Sequence, residues 1–355
     1  MEFGISCSKI DEVGLITYAE NLGYDFCWVT DSPMLRSNPW AVLALAAQQT
    51  QTIKLGMGVA VPGLRLAPDT ACGIATINRL APGRTFLGSG TGNTAMRTLG
   101  RKPARVSEFE QFLRVVRGLL DGEEVMFESD DGPQPIRFQN LHYKYVDVEH
   151  RIPIHVGGFG PKAQALAGEL GDGLITGIPR GGAIADALAN VHVGARRTGR
   201  NLHGFYTSAL VNMMLLQPDE TLSSPRVVAQ CGPAIMANVH YLTDLYGNSE
   251  KTPPHYVQPI WEDYLAFHKA RSASHSHQQL HGSHYSHLDK DEAKFITPEL
   301  IKAFCIAGQA DEIAEQLHML KQDGLDAIAF IPPSEHRYAQ YEDFAKRVIA
   351  AVRNN

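Results

Sequence analysis

Thr85-Phe-Leu-Gly-Ser-Gly-Thr-Gly-Asn-Thr94 starts as a short β-forming run and gives way to glycines that let backbone N–H groups approach an anion. Seven more apolar runs rich in β-branched or aromatic residues surround it. They are Phe3-Gly-Ile-Ser6, Phe26-Cys-Trp-Val29, Ile53-Lys-Leu-Gly-Met57, Ile154-His-Val156, Leu174-Ile-Thr176, Tyr206 to Leu216 and Ala327-Ile-Ala-Phe-Ile331. Segments of helical period separate them, which is the pattern of βαβ units around a parallel sheet.

The intervening helices carry their own signals. Ser107-Glu-Phe-Glu110 reads as a capping box, followed by an apolar face of Phe109, Phe112, Leu113, Val116, Leu119 and Leu120 that Gly122 ends. Near the C-terminus Ile313, Leu317 and Leu320 form a stripe closed by Gly324, and Tyr341, Phe344, Val348, Ile349 and Val352 form another. Two stretches break the alternation. Residues 123–152 contain two short strand-like runs, Val125-Met-Phe127 and Tyr145-Val-Asp-Val148. Residues 217–300 contain extra helices and a polar, His-rich loop. Neither is composed like a linker, so residues 1–355 are expected to form one domain.

The chain has 355 residues, 44% of them hydrophobic, and a formal net charge of −6. A large core is available, and no stretch collects the basic residues that a phosphate backbone requires, so no nucleic acid partner is expected. The longest apolar runs, such as Ala41 to Ala47, fall well short of the roughly 18 residues of a membrane span, and the N-terminus lacks a signal-peptide pattern. A cytoplasmic location is the expectation. The five cysteines, Cys7, Cys27, Cys72, Cys231 and Cys305, are scattered and form no C-x-x-C. They read as buried thiols rather than a disulfide framework or a zinc site.

Chemistry concentrates where strands end. In Gly88-Ser-Gly-Thr-Gly-Asn-Thr94, Ser89, Thr91 and Thr94 add hydroxyls to the glycine N–H groups, Gly92 among them. The stretch is not a Rossmann fingerprint, because it follows the fourth run and Arg97 to Pro103 intervene before a helix. No Walker A sequence is present. Gly157-Gly-Phe-Gly-Pro-Lys162 lies just before another helix, and the sixth run ends at Thr176-Gly177. Adjacent strand ends, a helix N-terminus and a threonine hydroxyl together read as a phosphate cradle using Gly157, Gly158, Thr176 and Gly177. Tight turning of the chain is the competing reading for each segment alone.

In order and spacing these segments resemble the luciferase-like flavin and F420-dependent oxidoreductases. The matching stretches are Gly23-Tyr-Asp-Phe-Cys-Trp-Val-Thr-Asp31, Lys54-Leu-Gly-Met-Gly-Val59 with Pro62 and Arg65, Ala81-Pro-Gly-Arg84, Gly88 to Gly92, the Arg101 to Gly122 helix, Gly157 to Gly173, and Phe304 to Gly324. The resemblance implies a (β/α)8 TIM barrel with insertions after strands four and seven, and a homodimer. It places a tricyclic cofactor ring over strand three and the cofactor phosphate among the strand four to six loops. It also implies a non-prolyl cis peptide in a strand-three bulge, at Gly58-Val59 or Val59-Ala60, and an acidic site residue at Asp31. Many relatives carry histidine after that acid, where this chain has Ser32.

The acid/base group is therefore sought in the insertion, among His275, His277, His281, His284 and His287. Three readings stay open: a metal site, a solvated loop, or a substrate-facing acid/base at His284 or His287, with His284 preferred. No carboxylate or cysteine completes a zinc signature, so no metal is expected. Trp28 and Trp40 read as core, Arg65 and Arg97 as partners for an anion or as exposed charges, and His155 and His240 as packing residues.

The leading expectation is a monooxygenase that takes reduced FMN from a separate flavin reductase and inserts one oxygen of O2 into a small organic substrate. The alternative is F420-dependent hydride transfer without oxygen chemistry. A non-catalytic flavin-binding protein is the reading of another class, disfavoured by the long insertion beside a candidate mouth.

Overall fold

Strands buried on both faces read as near-continuous apolar runs, and eight of them close here into a parallel barrel. The computed structural model describes residues 1–178, 183–271 and 275–354. The barrel strands are β1 (Glu2–Ser6), β2 (Phe26–Val29), β3 (Lys54–Ala60), β4 (Thr85–Ser89), β5 (Ile154–Gly157), β6 (Gly173–Gly177), β7 (Tyr206–Val211) and β8 (Ala327–Phe330). Each pairs with its sequence neighbour, and β8 closes on β1 through Glu2↔Ala327 to Gly4↔Ala329. The outer helices include α1 (Gly14–Asn21), α2 (Pro39–Gln49), α3 (Ala67–Leu80), α4 (Val106–Leu120), α5 (Pro161–Leu170) and α6 (Ile184–Thr198).

The chain forms two compact units. The first comprises Met1–Met96, Lys102–Leu210 and Asp323–Ala329, and the second Arg97–Arg101, Val211–Gln322 and Phe330–Asn355. Inside the barrel of the first unit, Phe26, Trp28, Phe86, Ile175, Ala327 and Ala329 form an apolar cluster joined by Val59, Tyr206 and Leu210. At the strand starts, Tyr206 donates to Glu2 at 2.7 Å, and Lys54 Nζ lies 2.8 Å from the same carboxylate. The ring of His155 stacks between Phe86 and Tyr206, with centroids 5.2 and 5.1 Å away. Burial pushes this imidazole down to about 4, so it is neutral at ordinary pH, as a packing histidine should be.

The second unit is built on α7 (Pro225–Tyr246), α8 (Gln258–Lys269) and the helix Pro298–Phe304. Val227, Ile235, Val239, Trp261, Tyr264, Phe295 and Ile301 are among its buried residues. Within this core His240 Nε2 and Glu292 Oε1 are 3.0 Å apart, and Tyr264 donates to the same oxygen at 3.3 Å. The C-terminal stripes are buried as expected at Ile313, Leu317, Tyr341, Phe344, Val348 and Ile349.

Several expectations need correction. The seventh strand does not run from Tyr206 to Leu216: it stops at Val211, and Met213–Leu215 pairs separately with Ile306–Gly308. Asn212 causes the break, since its Nδ2 donates to the Phe304 carbonyl at 3.0 Å and its own carbonyl accepts from Ile306 at 2.8 Å. In the first excursion Val125–Ser129 pairs with Gly132–Ile136, and residues 145–148 form no strand. Asp147 turns the chain there, with Oδ1 accepting from the N–H groups of Glu149 and His150 at 3.0 and 3.1 Å. Helix α4 starts one residue before Ser107, so Glu108 rather than Glu110 reaches back, accepting from the Arg105 N–H at 2.9 Å. Cys7, Cys27 and Cys231 are buried, but Cys72 is exposed and Cys305 only partly covered.

Candidate active site

The site residues of the first unit sit where β2 to β6 end. Register in β3 slips between Met57 and Ala60 opposite β4, and the Gly58-Val59 peptide inside this bulge is cis. The bulge is pinned from β4: Ser89 Oγ and the Gly90 N–H both donate to the Ala60 carbonyl, at 3.1 and 3.0 Å. Ser89 is fully buried, so its hydroxyl holds the bulge rather than facing outward.

Val59 is bordered by glycines. A Cβ on Gly90 would stand 3.0 Å from Val59 Cγ2, and one on Gly157 would stand 3.3 Å from the Ser89 carbonyl and 3.6 Å from Val59 Cγ1. Any side chain at Gly157 fills the space beside the bulge. Gly92 adopts φ +78 and lies against Val61, while the Thr91 carbonyl accepts from Ala104 at 3.0 Å and closes the loop after β4. The Gly158 N–H is committed to the Ile175 carbonyl at 2.9 Å. At the start of α5 Gly160 is the N-cap and Pro161 the first residue, leaving the Lys162 and Ala163 N–H groups without intrahelical acceptors. Thr176 is buried in β6, and Gly177 lies under the exposed ring of Phe159, which a Cβ would approach to 3.1 Å.

Asp31 follows β2 and is buried. Its Oδ2 pairs with Arg65, which also lies over the Trp40 ring at 6.0 Å. Its Oδ1 is buried without a hydrogen-bond partner. Burial pushes the Asp31 carboxyl up, and the Arg65 guanidinium pulls it back down. An unmet carboxylate oxygen costs roughly 1–3 kcal/mol, which a ligand donor would recover. Arg65 is therefore a carboxylate's partner, and Trp28 is core as expected.

The histidines lie in the second unit and meet different fates. His275, His277 and His287 are exposed, whereas His284 is half-buried and His281 fully buried. Residues 280–286 fold as turns, with Tyr285 at φ +56, so the three-residue spacing of His281, His284 and His287 does not align rings on a helix. A uniformly solvated loop is thus ruled out by His281, whose Nε2 lies 3.0 Å from Asp244 Oδ2. His284 packs edge-on against His281 and Tyr285. Among the described residues no three His, Cys, Asp or Glu side chains are grouped to hold a metal ion. Phe159 and Asp244 escaped the sequence reading. Phe159 had a signal, an aromatic inside a glycine loop; Asp244, on a mainly apolar helix, had none.

These strand ends bring a bulge, a glycine-bordered floor and a buried acid together at one end of a TIM barrel. A family model described as luciferase-like monooxygenase matches residues 9–327, and the chain belongs to that family. A 5,10-methylenetetrahydromethanopterin reductase of Archaeoglobus fulgidus is 27% identical over 319 residues, 88% of this chain and 86% of its own. An F420-dependent hydroxymycolic acid dehydrogenase of Mycobacterium tuberculosis is 33% identical over 199 residues, 52% of this chain and 53% of its own. The solved structure of a coenzyme F420 dependent tetrahydromethanopterin reductase from Methanopyrus kandleri matches with TM-score 0.71 at 19% identity, covering 99% of both chains, a likeness of fold.

The chain is an oxidoreductase. The expectation of an FMN monooxygenase fed by a reductase is overturned by these relatives, which are named as reductases and F420-dependent enzymes. Fold and phosphate loops are common to both chemistries, so the glycine-rich strand ends could not separate them. Among the described residues no helix is long and apolar enough to cross a membrane.

Proposed function

We propose that this chain is an F420-dependent oxidoreductase that moves a hydride between the deazaflavin and a small organic substrate at the C-terminal mouth of its barrel. The observation that carries the reading is the similarity, over 88% of the chain, to a 5,10-methylenetetrahydromethanopterin reductase. The residues fit such a cofactor: the space beside Val59 that a Cβ on Gly157 would fill suits a flat ring, and the orphaned Asp31 Oδ1 awaits a donor. When bound, F420 supplies a hydride donor or acceptor at one ring carbon.

The chain's own residues have separable tasks. The Gly58-Val59 bulge, fixed through Ala60, supports the ring. The loop Thr91-Gly92 and the start of α5 take the phosphate, with N–H groups and the helix dipole favouring negative charge. Phe159 covers Gly177 at the edge of the mouth. Hydride transfer to a neutral substrate must be balanced by a proton. Asp31 is the first acid/base candidate, its carboxyl pushed up by burial and pulled back by the Arg65 guanidinium. His284 is the second acid/base candidate and is separated from Asp31 by substitution.

Titration with F420, FMN and FMNH2, followed by an oxygen-consumption assay with a flavin reductase, tests the reading. Tight F420 binding without oxygen uptake supports it. Oxygen uptake with FMNH2, in a protein that does not bind F420, sinks it.

A further inference from the structure

We propose that Arg65 is the positioning residue of Asp31: it takes one carboxylate oxygen, Oδ2, and leaves Oδ1 as the oxygen that meets a ligand. The assignment of Oδ1 to a ligand rests on the cofactor reading above; the pairing itself does not. Asp31 lies just past the end of β2, and its side chain is fully buried. Arg65 Nη1 donates to Oδ2, and Oδ1 has no hydrogen-bond partner. A buried carboxylate with one oxygen unsatisfied is costly, and a ligand N–H or O–H offsets that cost.

The pair is held from several elements at once. Ser8, after β1, fixes the residue before Asp31: its Oγ accepts from the Thr30 N–H at 3.2 Å and lies 2.6 Å from Thr30 Oγ1. Arg65, after β3, lies over the ring of Trp40, with Cζ 6.0 Å from the centroid. Trp40 is set in its turn by two helices. Its N–H donates to Asn38, the N-cap of α2, at 3.0 Å, and its ring rests against Gly73 of α3, where a Cβ would stand 2.6 Å away. A methyl group at Gly73 therefore displaces the ring that backs Arg65. Burial pushes the Asp31 carboxyl up and Arg65 pulls it back, and among the described residues no other charged group bears on it. The state of Asp31 is thus governed by one neighbour, and Trp40 governs the place of that neighbour.

The test is a carbon-13 NMR titration of the side-chain carboxyls in the full chain, labelled at aspartate and free of cofactor, with the Asp31 resonance identified by its loss in Asp31→Asn. Removing the cation disfavours the carboxylate, so Arg65→Met should move the titration to higher pH. Arg65→Lys keeps the charge and should bring it back toward wild type. Gly73→Ala touches neither residue and should move it part of the way. A titration unmoved in Arg65→Met overturns the proposal, and one unmoved in Gly73→Ala overturns the brace; where Arg65→Met does not fold, Gly73→Ala decides. F420 is then added to the wild-type chain, with binding followed by its fluorescence. Bound F420 should shift the Asp31 resonance, and binding that leaves the resonance in place overturns the assignment of Oδ1 to that ligand. A chain that does not bind F420 at all overturns the cofactor reading, while the Arg65 titrations stand on their own.

Discussion

Replacing His155 with phenylalanine should change the acid stability of this protein by an amount the structure sets. The imidazole is stacked between Phe86 and Tyr206 and, through burial, titrates near 4 instead of the usual 6.5. Between those values the unfolded chain binds a proton that the folded chain does not, so stability is whole above pH 6.5 and drains as pH falls toward 4. The gap corresponds to about 3 kcal/mol, with roughly 2 kcal/mol already lost at pH 5. Phenylalanine keeps an aromatic ring in the stack and removes the proton. Urea unfolding of both proteins at intervals from pH 7 to pH 4 gives the difference curve, in which the other titrating groups cancel. The reasoning predicts that wild type weakens relative to the variant by about 3 kcal/mol across that range. Parallel curves would refute it, showing that the ring is hydrated or already charged in the folded barrel.

Gly157→Ala should weaken F420 binding at least about tenfold with little change in melting temperature, because its Cβ enters the space beside Val59; fluorescence titration measures it. Asp31→Asn should lower the hydride-transfer rate by about 100-fold in single-turnover absorbance measurements. It should also cost about 2 kcal/mol in chemical denaturation, since it leaves Arg65 without its buried partner. A full rate in this variant removes Asp31 from the chemistry. His284→Gln should reduce turnover while leaving the F420 dissociation constant unchanged, and undiminished turnover excludes His284 as the acid/base.

The barrel was legible because its strands are buried on both faces, which makes runs such as Phe26 to Val29 and Ala327 to Phe330 stand out from their surroundings. What stayed hidden was set by distant partners. Asn212 ends β7 through the carbonyl of Phe304 and the N–H of Ile306, more than ninety positions along the chain. Tyr145 to Val148 alternates like a strand, yet Asp147 uses its carboxylate to bend the backbone locally. At the site, family resemblance located the Gly58-Val59 bulge, and glycine spacing located the loops that border it. The partnership of Asp31 with Arg65, and the separation of buried His281 from exposed His287, depend on side chains that periodicity cannot bring together. Function was the least legible of all, since a fold does not by itself fix the cofactor chemistry.

The short parallel pairing of Met213–Leu215 with Ile306–Gly308 has an evolutionary consequence. Adjacent strands lie about 5 Å apart, so the long insertion starts and finishes at neighbouring points. A cassette with such closely spaced ends is replaceable by one of another length or sequence without disturbing the register of the strands before and after it.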